Sequence, residues 1–191
     1  MNQHLPFFNE LSFFDAFTLE ELVSVLSVVR ERRLVDREVL IKEGTVGQSC
    51  FFLVEGKIRA FTTRDKHVKE LATLERGAIF GHMALIDHDR RSATCAARGE
   101  ALLLEMMWED FDRMFNSGVA AAFKLTDALT RLLVTQLRST NDQFLELFDP
   151  LAGDENADLR EVLNEAAART AGFDLDEVEV VIPEGTQKWG R

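Results

Sequence analysis

The chain has 191 residues, a net charge of −11, 46% hydrophobic and 29% charged residues, a balance that points to a soluble globular protein. That length holds one domain of ordinary size with a proper core, plus an extension. The longest apolar runs, such as Phe51 to Val54 and Ala101 to Leu104, are far too short to span a bilayer, so no membrane partner is expected. The opening Met1-Asn2-Gln3-His4-Leu5 lacks a basic region followed by an apolar one, so no secretory signal is expected. Cys50 and Cys95 sit far apart in apolar runs and read as buried free thiols, which fits a cytoplasmic location. Residues 149–191 hold 11 acids against 4 bases, where a DNA-reading half would need a basic face, so DNA is not an expected partner.

Residues 7–33 read as helical. Thr18 with Glu21 three positions on forms a capping box, and Leu22, Val25, Leu26 and Val29 make one apolar stripe. The Arg30-Glu31-Arg32-Arg33 run reads as the solvated end of that helix. From Leu34 to about Met107 the pattern turns to short runs rich in Val, Ile, Phe and Thr: 38–42, 50–54, 57–63, 68–74, 78–80, 92–97 and 102–107. Seven or eight short strands at this spacing predict an antiparallel sandwich or barrel. Trp108-Glu109-Asp110 opens a new helix with its acids at the positive end of the dipole. After Gly118, residues 119–148 predict a long helix carrying Ala122, Leu125, Leu129, Leu132, Gln136 and Phe144 in a roughly heptad-like stripe. Such a stripe packs on its own barrel or pairs with a second copy. Pro150 and Gly153 end the helix, and the acidic extension 148–191 reads as a short helix near 155–170 and a possible strand around 178–182.

The most informative stretch is Phe80-Gly81-His82-Met83-Ala84-Leu85, followed by Arg91-Ser92-Ala93-Thr94. Gly81 lets the backbone approach a ligand closely. Met83 to Ile86 can form a single turn whose first amides have no internal partner and so face an anion. Arg91 supplies a planar fork suited to phosphate oxygens, and Ser92 adds a hydroxyl donor. Together they can hold one phosphate.

These residues resemble the phosphate-binding cassette of the cyclic nucleotide-binding domain family. That pattern runs Phe-Gly-Glu-(Leu/Met)-Ala-Leu, a short gap, then Arg-(Ser/Thr/Ala)-Ala-(Thr/Ser). His82 stands where the family has the glutamate that accepts a hydrogen bond from the ribose 2′-hydroxyl. Upstream, Val39 to Arg59, with Gly44, Gly47 and Gly56 at its turns, looks like the family's first hairpins. The resemblance implies an α+β fold: an antiparallel β-jelly-roll (a double-stranded β-helix) flanked by an N-terminal helix and a long C-terminal helix. The domain would run over 7–147, with its C-terminal helix at 119–147. The implied ligand is cAMP or cGMP, held by Phe80, Gly81, His82, Met83, Ala84, Leu85, Arg91, Ser92 and Ala93. The family's C-terminal helix often closes over the ligand while dimerising, so a homodimer through 119–147 and an unknown protein partner are expected.

No residue set argues for catalysis, a metal or a cofactor. A metal-bearing barrel needs a His-x-His pair with a carboxylate and a third histidine, and His67, His82 and His88 are spaced 15 and 6 apart. Three readings stand. The first is a regulatory module that binds cAMP or cGMP and signals through its C-terminal helix. The second is a degenerate domain serving as a protein-interaction scaffold without ligand. The third, a transcription factor of the catabolite-activator kind, is disfavoured by the acidic tail and by the lack of a helix-turn-helix.

Overall fold

The computed structural model describes residues 3–64 and 67–148. The chain divides into two units, residues 1–139 and 140–191. The first holds the sheets and is described here; the expected helix and strand of the acidic extension lie outside the described residues. The elements are α1 (Leu5–Asn9), a 3-10 turn (Ser12–Phe14), α2 (Leu19–Leu26), β1 (Val29–Leu34), β2 (Val39–Ile41), β3 (Ser49–Glu55) and β4 (Ile58–Arg64). They continue with β5 (His67–Leu74), β6 (Ile79–Phe80), a 3-10 turn (His82–Leu85), β7 (Thr94–Ala97), β8 (Ala101–Met107), α3 (Trp108–Asn116) and α4 (Ala120–Phe148).

Two four-stranded antiparallel sheets, ordered β1-β8-β3-β6 and β2-β7-β4-β5, make the jelly roll. The alternation of side chains along β3 explains its unbroken apolar sequence. Phe51 and Leu53 point into the core with Ile41, Ile58, Phe80 and Leu103, while Cys50, Phe52 and Val54 point the other way into a core shared with the helices. That second core is closed by aromatic packing of Phe8 on Phe14 (4.5 Å) and on Phe52 (5.3 Å). The capping box of α2 is formed as its sequence predicts: Thr18 and Glu21 exchange backbone and side-chain bonds.

Residues 7–33 are not one helical region. They divide into the end of α1, the 3-10 turn, α2, and strand β1, and the Arg30–Arg33 run pairs with β8 from Val29↔Met106 to Leu34↔Ala101. Its charges belong to an exposed sheet edge. Arg30 reaches Asp110 at 3.0 Å and Arg32 reaches Glu105 at 3.6 Å, and charged edges discourage stray strand pairing. No helical period can be read in six residues of which four are charged, so the strand stays hidden in the sequence. Cys50 and Cys95 are free and buried, and burial pushes their thiols up to about 12 and about 11.

One side of α4 is spent on its own domain. Ala121, Ala122, Leu125 and Leu129 are fully buried against the second core. Of the two placements open to the stripe, Leu125 and Leu129 take the one on their own barrel, so the expected homodimer through 119–147 cannot use them. Phe123, Val134 and Leu137 are exposed and lie on another side of the helix.

Candidate phosphate-binding cassette

Every predicted cassette residue belongs to one structural unit between β6 and β7. Phe80 ends β6, is 6% exposed and stacks on Phe51 at 5.4 Å, which fixes the chain's exit from the core. Gly81 then turns the backbone with φ +68°, a region open to glycine at little cost. Its lack of a side chain is also steric: a Cβ there would lie 2.7 Å from Arg91 Nη1 and 3.3 Å from the Ser49 carbonyl oxygen. His82, Met83, Ala84 and Leu85 follow as the 3-10 turn. Leu85 is buried in the helix-side core and Met83 is exposed.

The hydrogen-bond donors of the turn's first amides lack helical partners, as at any helix start. Beside them, the half-buried Arg91 donates from Nη1 to the Gly81 carbonyl and from Nη2 to the Ser49 carbonyl, both at 2.7 Å. Its Nε makes no hydrogen bond within the described residues. Burial lowers its pKa, yet an arginine so placed stays charged at any physiological pH. The segment carrying it, between the cassette turn and β7, is zipped to the β2–β3 loop: Arg91 N–H donates to the Thr45 carbonyl at 2.8 Å, and Gly44 N–H donates to the Arg91 carbonyl at 2.8 Å. Arg90 turns outward and donates to the Gly44 carbonyl at 2.7 Å, which makes it a surface staple. Ser92 is exposed and Ala93 half-buried. The arrangement brings one cation, a glycine corner and the start of a 3-10 turn to one place, and that suits a phosphate.

His82 departs from the expected sugar contact. It is 4% exposed, and neither ring nitrogen makes a hydrogen bond of normal geometry. Burial, the largest influence, pulls its pKa down; the Gln136 side chain on α4 and the Ile79 main chain lie near enough to oppose this in part. The imidazole is thus turned into the seam beneath α4. The residues present fit the phosphate half of a cyclic nucleotide, and His82 as placed does not offer the acceptor that a ribose 2′-hydroxyl needs.

Sequence reasoning missed two partners. The Ser49 contact is made by a main-chain carbonyl, which leaves no trace in residue type. Gln136 was legible only as a polar break in an apolar stripe, with nothing to link it to His82.

The sequence model described as "Cyclic nucleotide-binding domain" matches residues 31–117. Residues 31–117 are therefore similar to that family, over somewhat less than half of the chain. The domain is similar to a cyclic nucleotide-gated potassium channel of Rhizobium etli, 36% identical over 96 residues, which are 50% of this chain and 26% of the channel. It is also similar to the cyclic AMP receptor protein of Thermus thermophilus, 30% identical over 121 residues, 63% of this chain and 56% of that protein. The chain therefore spans about a quarter of the first relative and just over half of the second. Among solved structures, the Thermus thermophilus catabolite activator protein superposes with a TM-score of 0.64 at 27% identity, covering 71% of this chain and 62% of that one. A cyclic nucleotide-binding domain from Methylobacillus flagellatus KT gives 0.67 at 23% identity, covering 74% and 80%, which speaks for the fold. Among the described residues no helix is long and apolar enough to cross a membrane.

Proposed function

We propose that this chain is a non-enzymatic regulatory module whose cassette takes the phosphate of cAMP or cGMP and passes the change to a protein partner through α4. The observation that carries this reading is the pairing of Arg91 with Gly81. A guanidinium is seated against a left-handed glycine at the start of a 3-10 turn, whose first amides have no partner within the turn, and a phosphate suits such a corner. In the ligand-bound state Nε and the outer Nη hydrogens of Arg91 meet the phosphate, with Ser92 at the rim. The route to α4 is short, because Leu85 and His82 of the cassette turn reach α4, Leu85 through the core it shares with Leu125 and Leu129 and His82 through Gln136. Thermal melting with cAMP, cGMP and a cyclic dinucleotide tests this. A ligand at a hundred times its dissociation constant stabilises the fold by about 2.7 kcal/mol and raises the melting temperature.

A second reading is favoured by a specific observation. His82 is turned inward, and two Arg91 donors are already held by main-chain carbonyls. On that reading the corner is a structural staple and the domain is a scaffold without ligand. No melting shift with any of the three nucleotides at millimolar concentration would select it.

The homodimer belongs to either reading, through the exposed Phe123, Val134 and Leu137 of α4 in place of Leu125 and Leu129. DNA is not part of either, since residues 149–191 hold 11 acids against 4 bases.

A further inference from the structure

The cassette turn is seated on the domain by two side chains of opposite character. Leu85 is 3% exposed and packs in the core that contains Phe111 and Met114 of α3 and Leu125 and Leu129 of α4. His82, three residues earlier, is 4% exposed, and both its ring nitrogens are buried without a hydrogen bond of normal geometry. A buried imidazole left in this condition is stable only while neutral, because a charge there would have neither water nor a counter-ion.

The surroundings supply no counter-charge. The groups that act on the ring are the neutral amide of Gln136 from α4 and the main chain of Ile79 from β6. On β3, the Cys50 thiol is held protonated by burial, and Glu55 is exposed at the far end of the strand. On α3, Asp110 is engaged by Arg30 and Arg113, Asp112 accepts from Asn116, and Glu109 is exposed. On α4, Lys124 is tied to Glu21 and Arg131 to Asp127, while Arg138 is exposed. Arg91, the cation of the cassette itself, is turned to the Gly81 and Ser49 carbonyls. Asp87, one turn on in the same segment, and Glu105 of β8 act on Arg91, and neither is among the groups that act on His82.

We propose that His82 is a proton-operated latch between the cassette turn and α4. Neutral, the imidazole fills the seam beneath Gln136 and seats the turn. Protonated, it leaves that seat for solvent, and the turn remains attached through Leu85 and through the Arg91 bond to the Gly81 carbonyl. The latch works whether or not the cassette takes a nucleotide, so its failure and the failure of the ligand reading are separate results.

The sign follows from the burial. A histidine whose folded pKa lies below its ordinary value of 6.5 takes up its proton more readily once released. Stability and seam closure are therefore complete above that value and decline as pH falls from it toward the folded pKa. Hydrogen exchange of the full chain at about pH 7.5 and about pH 5.5, corrected for the intrinsic pH dependence of exchange, reads this directly. Peptides covering residues 82–86 and 132–139 are expected to lose protection by about threefold or more at the lower pH, while the β3–β8 ladder keeps its protection. His82→Gln, which cannot take up the proton, removes the difference. Unchanged or uniformly changed exchange in the wild-type chain overturns the latch, and this holds even if the variant fails to fold. A folded His82→Gln variant that keeps the full pH response overturns it equally.

Discussion

Two residues of the cassette can be separated by what each loses on substitution. Gly81→Ala places a side chain at φ +68° and 2.7 Å from the Arg91 guanidinium. The left-handed conformation costs about 1–2 kcal/mol for a residue with a Cβ, and the guanidinium must also move. We expect a lower midpoint in urea and a weakened ligand site together. Arg91→Ala removes two charge-assisted bonds to main-chain carbonyls. Hydrogen bonds to charged groups contribute roughly 1.5–3 kcal/mol each, less for a half-exposed group such as this. A loss of about 1–3 kcal/mol in denaturant unfolding is expected, small enough to leave a folded domain. An Arg91→Ala variant with wild-type stability would contradict the staple geometry.

The elements differ in how far their sequences announce them. The seven predicted strands between residues 38 and 107 all exist to within a few residues, because glycine or charged turns separating short runs rich in Val, Ile, Phe and Thr mark them plainly. α3 and α4 begin where the acids of Glu109-Asp110 and the Gly118 break place them. The cassette turn was legible for the same reason: a glycine with a required backbone conformation and an arginine at fixed spacing are local signals. What stayed hidden depends on tertiary placement. β1 is a strand because β8 pairs with it, and its Arg-rich run carries no period of its own. Which side of α4 faces the barrel is decided by contact with α3 and the N-terminal aromatics, and the apolar stripe alone admits both answers. Leu129→Ala, at a fully buried position, should cost about 2–5 kcal/mol as a cavity. Leu137→Glu, at a position 62% exposed, should leave unfolding nearly unchanged and shift a dimer toward monomer in light scattering at tens of micromolar, where an interface is about twenty to thirty residues a side. A Leu137→Glu variant that melts much lower than wild type would place that side chain in a core and not at an exchange surface.

At the scale of the whole molecule, acid acts in two windows. The Glu21 carboxyl is held below its usual range first by Lys124, Glu43 by Thr62, and Glu70 by Thr73. Groups whose folded pKa is depressed give stability that is present above the unfolded value of 4.5 and lost as pH falls through the folded one. The His82 step comes earlier, below 6.5. A plot of melting temperature against pH should therefore bend twice, and His82→Gln should erase only the upper bend. The central claim, that the Gly81–Arg91 corner is a nucleotide phosphate site, is tested most directly by calorimetric titration of the chain and of Arg91→Ala with cAMP and cGMP. We predict saturable binding of one nucleotide per chain, weakened by about tenfold or more in the variant, as the loss of one charge-assisted contact requires. Equal affinity in the two proteins, or no heat from either nucleotide at millimolar concentration, would contradict it.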